Sequence, residues 1–262
     1  MAIKERKTKI LLALFLLSDT NFSSVPFNKY VENGFDLTLN QKTKQTISGL
    51  LKEVLIEKDT ESQNVEGSIS KFPIYKITEK GFSKLCLEFP SFRFLKYTWD
   101  GKWRILSYEI PEKKRELRDK LRREVAGWGL GPWHRSFWVT PHPIIENLKA
   151  LVSQKEEEQY IQAFESEHVF GNKEILIEKV WQRSLLDKRY RELFKKWHEV
   201  LSSNPENTSE DAAKLSKFAL VIAEYVNVLR TDPGLPTELI GSKWIGFEAY
   251  NIFKEIRAIL LA

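Results

Sequence analysis

Cysteine is almost missing from this chain of 262 residues, and its scarcity excludes much. A single thiol, Cys86, leaves no intramolecular disulfide and no metal site built on several cysteines. The four histidines, His134, His142, His168 and His198, are scattered and form no HExxH-like ligand spacing. There is no GxSxG, no P-loop and no GxGxxG between a strand and a helix. Gly127-x-Gly129-x-Gly131 follows a helical pattern and precedes a strand, the wrong order for cradling a dinucleotide. Nor is any stretch apolar for long enough to span a bilayer. These absences predict a cytoplasmic protein that needs no metal and no cofactor, and that has no membrane partner.

What is present is ordinary globular material: 42% hydrophobic and 29% charged residues, enough for real cores and too apolar for wholesale disorder. The net charge of +5 is unevenly spread. The first 152 residues carry 26 basic against 18 acidic side chains, and the last 110 carry 15 against 18. A polyanionic partner should therefore meet the N-terminal part. The N-terminus also imitates a secretory signal, with Lys4, Arg6, Lys7 and Lys9 ahead of the apolar run Ile10–Leu17. That run is at the short end for such a signal and is followed by Ser18-Asp19-Thr20-Asn21, without a small-x-small cleavage site. A buried first helix ending at this polar cluster is the reading we adopt.

Three segments separate by composition, with no internal repeat. The first reads as a helix over Thr8–Leu17, a short element near Pro26–Glu32, and a helix from Asn40 to Val54. Two strands, Leu55–Lys58 and Phe72–Ile77, follow across a polar stretch Asp59–Ser70, and a short helix runs from Thr78 through Leu87. In the second, Trp103–Ile110 is strand-like and Glu112–Trp128 strongly helical, with Leu117, Leu121, Val125 and Trp128 as its core stripe. Arg135–Thr140, Pro143–Val152 and Tyr160–His168 complete a β-α-β-α-β order that fits a small ferredoxin-like sandwich. The third is helical: Asn172–Trp181, Asp187–Leu201, Glu210–Arg230 and Ser242–Leu261, the last two separated by the rigid turn Thr231–Pro236. The expected division is 1–94, 95–170 and 171–262.

The helix from Asn40 is the most informative element. Ile47, Leu50, Leu51 and Val54 recur at i, i+3, i+4 and i+7, one buried stripe. The opposite side presents Gln41, Lys44, Gln45, Ser48 and Lys52, with Lys42 beside them and no acid among them. Gln pairs bidentately with adenine, Lys reaches guanine or phosphate, and Ser serves either role. Third in a helical unit and followed by a β-hairpin, such a helix resembles the reading helix of a winged helix-turn-helix, with the hairpin as the wing against the backbone. Asp59, Glu61 and Glu66 on the hairpin loop predict that its tip does not hug phosphate. The cations of Glu112–Trp128 (Lys113, Lys114, Arg115, Arg118, Arg122, Arg123) are interspersed with Glu116, Asp119 and Glu124. They are read as a solvated, ion-paired face before a phosphate surface. Trp128, Trp133, Phe137 and Trp138 cluster near the glycines, as core or as the wall of a small-molecule cavity.

Trp99-Asp100-Gly101-Lys102-Trp103-Arg104-Ile105, Tyr108-Glu109-Ile110-Pro111-Glu112 and Ser136-Phe137-Trp138-Val139-Thr140-Pro141 resemble the central segment of the PaaX-type transcriptional repressors. Gly129-Leu130-Gly131 and the helix residues Arg115, Leu117, Arg118 and Leu121 continue that match. Asp232-Pro233-x-Leu235-Pro236-x-Glu238-Leu239 and Trp244-x-Gly246 resemble the family's C-terminal signature. The resemblance implies an α+β multidomain chain: an N-terminal winged helix, a ferredoxin-like middle domain and a C-terminal helical domain. It also implies a homodimeric, non-enzymatic repressor of double-stranded DNA, with an acyl-CoA-like effector, phenylacetyl-CoA in the founding members. No residue here specifies that effector. The middle domain is in turn similar to a small CRISPR adaptation protein, whose first strand ends in an Asp proposed to bind metal. Glu109 stands there in this chain, without a second obvious carboxylate, and an ion pair with the following helix is its expected role. The alternatives are a metal-dependent nuclease built on the middle domain, and a scaffold whose winged helix binds protein. The charge asymmetry and the acid-free helix face speak against the scaffold.

Overall fold

Eight consecutive apolar side chains, Ile10–Leu17, leave this part of the first helix without a polar face, and it is accordingly buried. In the computed structural model, which describes residues 5–19, 21–60, 72–203 and 209–261, α1 spans Arg6–Leu17 and every residue from Ile10 to Leu16 is buried. Burying each such leucine or phenylalanine is worth about 1.5–3 kcal/mol, so this segment anchors its unit. The helix stops where Ser18 turns its hydroxyl back to donate to the Phe15 carbonyl at 2.9 Å. Among the described residues no helix is long and apolar enough to cross a membrane.

The chain divides into two units, one of Met1–Leu85, Arg191–Val228 and Ala249–Ala262, the other of Cys86–Tyr190 and Leu229–Glu248. In the first, β1 (Val25–Pro26), α2 (Lys29–Gly34), α3 (Gln41–Lys52), β2 (Ile56–Lys58) and β3 (Ile74–Ile77) follow α1. Both hairpin strands pair antiparallel, in the sheet order β1-β3-β2. Three helices interleaved with a small three-stranded sheet in this order make the winged-helix arrangement. Helix α4 (Glu79–Glu88) comes next. Later helices complete the core of this unit: Trp197 lies 5.3 Å from Tyr225 and 6.4 Å from Phe253, and its indole donates to the Val221 carbonyl. These side chains belong to α8 (Arg183–Ser202), α9 (Glu210–Leu229) and α11 (Ile245–Leu261).

The second unit holds β4 (Lys102–Tyr108), α5 (Arg115–Gly127), β5 (Gly131–His134), β6 (Phe137–Thr140), α6 (Ile145–Val152), β7 (Ile161–Glu167), α7 (Lys173–Trp181) and α10 (Thr237–Ile240). Its sheet runs β5-β6-β4-β7, every neighbour antiparallel. That is the ferredoxin-like order, with one strand more than the sequence pattern suggests: β-α-β-β-α-β. The extra strand is β5, hidden in what reads as a glycine–proline break. An edge strand paired on one side only tolerates Pro132, and a register shift between Pro132 and His134 absorbs its irregularity. Period-two alternation along β4 sends Leu106 and Tyr108 toward Leu121, Val125, Leu148 and Val152 of the two helices. Trp103 and Ile105 point to the other face, where Val139, Leu176 and Val180 meet them.

Candidate nucleic-acid interface

Helix α3 is held from its buried side, which leaves the other side free. Asn40 caps it, its side chain accepting from the Thr43 amide at 3.0 Å. Thr43 is fully buried, donates to the Thr38 carbonyl at 2.6 Å and accepts from Arg6 at 3.0 Å. With Ile47 and Leu50 it forms the packed stripe. Val54, placed in that stripe by its spacing, is instead 54% exposed. The helix ends at Lys52, and Val54 takes a positive φ of 56° that turns it out of register.

Gln41, Lys42, Lys44, Gln45, Ser48 and Lys52 are all exposed. At 100° per residue, Gln41, Lys44, Gln45, Ser48 and Lys52 lie within about 60° of one line, along about 16 Å of helix, and Lys42 flanks them. No described residue engages any of the six side chains. Two acids of this unit are already committed: Glu53 accepts from Lys7 at 2.5 Å, and Asp36 from Lys9 at 2.7 Å. The Lys7 ammonium beside Glu53 holds its carboxyl below the usual range, as Lys9 does for Asp36. On the hairpin, Lys58 and Lys76 are exposed and Asp59 accepts from Ser24 at 2.5 Å. Glu61 and Glu66 lie outside the described residues.

The motifs of the second unit prove to be framework. Arg104, only 4% exposed, donates to both carboxylate oxygens of Asp100 at 2.8 and 2.5 Å and to Glu165 at 3.0 Å. The Arg104 guanidinium holds the Asp100 carboxyl below its ordinary range against the cost of burial. Asp232 is buried, accepting from the Tyr190 hydroxyl at 2.5 Å and the Gly234 amide at 2.8 Å; burial pushes its carboxyl upward. Gly234 has a φ of +65°, and a Cβ there would stand 2.0 Å from the Pro90 carbonyl oxygen. His142 Nε2 meets the Pro233 carbonyl at 3.0 Å, and burial, with Arg93 near by, keeps the ring neutral. Arg93 is itself pulled down to about 10 by burial and donates to the Trp128 carbonyl at 2.9 Å.

Glu109 is exposed just past the end of β4, its amide donating to the Tyr160 carbonyl at 2.9 Å. The expected ion pair to the next helix is not formed. The cations of that helix find other acids: Arg118 pairs with Glu112 at 2.7 Å, Arg115 with Asp119 at 3.6 Å, and Lys114 with Glu156. This agrees with a solvated, ion-paired face. Among the described residues no group of three or more His, Cys, Asp or Glu is placed to hold a metal ion. The aromatic cluster divides. Trp128 and Trp138 are in the core between sheet and helices, whereas Trp133 and Phe137 are partly exposed. Trp133 instead shares a cavity with Trp103, Ile105, Ile175 and Lys179, a set the sequence reading missed because strands, a loop and α7 contribute to it together.

Residues 96–176 match the model of the PaaX protein central Cas2-like domain, and residues 181–262 that of the PaaX-like protein C-terminal domain. No curated protein matches significantly. Among solved structures, the uncharacterized protein Rv0674 from Mycobacterium tuberculosis aligns over 97% of both chains at 13% identity, with a TM-score of 0.48. With the two domain models matched in tandem over most of its length, and their motif residues serving as the framework of the second unit, the chain belongs to the PaaX-type family of regulatory proteins.

Proposed function

We propose that this protein is a DNA-binding transcriptional regulator that places α3 in the major groove. Gln41, Lys42, Lys44, Gln45, Ser48 and Lys52 form the contact set. The observation that carries this reading is the uncommitted, acid-free face of α3 in a winged-helix setting. Side chains without intramolecular partners pay no exchange of ion pairs on meeting bases and phosphates. In this reading residues 1–94 are the DNA-binding domain, 95–170 the ferredoxin-like domain and 171–262 the helical domain. The protein is a cytoplasmic, non-enzymatic repressor that acts as a homodimer on two half-sites and releases DNA on binding a small acyl or aromatic effector.

The test is binding to a duplex selected by the protein from random sequence. Replacing Gln41, Lys44, Gln45, Ser48 and Lys52 together by alanine should abolish sequence-specific binding while the fold survives. A folded variant that binds like wild type overturns the assignment. Sedimentation of the full chain at micromolar concentration should give a dimer, and a monomer there refutes the assembly.

A further inference from the structure

The outer face of the four-stranded sheet, opposite the helices α5 and α6, encloses a cavity of about 520 Å³ against α7 and the residues 166–172. Its floor is Trp103 and Val139, both buried, with Ile105 and Leu176 beside them and Trp133 on one wall. A concave, mostly apolar space of this size is the ordinary form of a small-molecule site. Its rim is costly if left bare: Val169 is 91%, Phe170 95% and Ile175 67% exposed.

Charge decides what fits. The lining holds one permanent cation, Lys179, and one acid, Glu167, together with His168. Lys179 and Glu167 offset each other, so the cavity offers no cationic cluster for phosphates. The N-terminus of α7 does not supply one either, because the Asn172 side chain already accepts from the Ile175 amide at 3.1 Å.

We infer that this cavity binds an uncharged aromatic small molecule, one that packs against Trp133, Ile105 and Ile175. The inference rests on the effector-responsive reading above only for its regulatory meaning; binding itself is measured without DNA.

The probe is N-phenylnaphthylamine, an uncharged aromatic fluorophore, set against its sulfonated analogue anilinonaphthalene sulfonate. Titrated into the full chain, the uncharged probe should saturate at one site per chain and bind more tightly than the sulfonate. Ile175→Asp should weaken it by about tenfold or more, because a carboxylate is set on the apolar rim. The fold should survive, since an acid is favourable in the first turn of α7. Leu220→Asp, at an exposed position of α9, should leave the probe unaffected. Gln45→Ala with Lys52→Ala should also leave it unaffected, so failure of DNA binding and failure of this site separate cleanly. Equal affinity in Ile175→Asp, an equal loss in Leu220→Asp, or tighter binding of the sulfonate overturns the inference. So does uptake per chain that falls as protein concentration rises, which would mean that a second copy covers the rim.

Discussion

Lys52→Ala and Gln45→Ala should fail in different ways, and the difference tests whether α3 lies in a groove. Both side chains are exposed and unengaged. Either substitution should therefore leave stability within about 0.5 kcal/mol of wild type. Lys52 sits in the last turn of α3, about 10 Å along the helix from Gln45 at 1.5 Å per residue, far enough from the reading centre to meet phosphate. Each phosphate contact contributes about 0.9 to the slope of log K against log salt. Raising salt about fourfold, from ~50 to ~200 mM, therefore costs wild type about 3.5-fold per contact that the variant no longer makes. The deficit of Lys52→Ala should thus shrink by about 3.5-fold over that range, on any duplex. Gln45→Ala should instead lose about 1–3 kcal/mol on the selected site only, about 5- to 150-fold, with the salt slope unchanged. Fluorescence anisotropy with the selected duplex and a scrambled one, at four salt concentrations, separates the two. An unchanged slope for Lys52→Ala, or an equal loss on both duplexes for Gln45→Ala, refutes this placement of the helix.

Gly234→Ala should destabilise the protein by about 3 kcal/mol or more, because the added Cβ meets the Pro90 carbonyl at 2.0 Å in a left-handed backbone; a urea midpoint close to wild type contradicts this. Burial raises the folded-state pKa of Asp232, so its protonated form stabilises below the unfolded value and this contribution is lost as pH rises through the folded one. Asp232→Asn should accordingly gain on wild type as pH rises, and parallel stability curves between about pH 4 and 8 would exclude that origin. Burial pushes the Cys86 thiol up to about 12, so a thiol reagent at neutral pH should label it only after unfolding. Rapid labelling of native protein would show that the site opens. Purified protein with Mn²⁺ should leave single- and double-stranded substrates intact; cleavage lost in Glu109→Ala would promote the nuclease alternative.

What local spacing encodes was legible without coordinates. The 3.6-residue period of Ile47 and Leu50 placed the polar face of α3, because a helix must turn its apolar stripe inward whatever it packs against. The apolar run of α1 and the alternation along β4 were legible for the same reason. The motifs around Trp99–Arg104 and Asp232–Pro236 carried the family resemblance, although their physical work, an ion-paired Arg104 and a buried Asp232, is visible only when strands and loops meet. Tertiary contact alone decided the rest. Strand β5 exists because β6 offers an edge to Gly131 and Pro132, residues whose own preferences argue against a strand. Glu109 stays unpaired because Glu112, Asp119 and Glu156 reach the neighbouring cations first. The four clustered aromatics divide between two faces of a sheet whose register no local pattern shows. The cavity floor needs β4, β6 and α7 together, with Trp103 and Leu176 more than 70 residues apart in the chain. Short-range periodicity selects helices, strands and the face each one hides; which faces meet is settled by packing between distant segments, and the cavity belongs to that second kind of information.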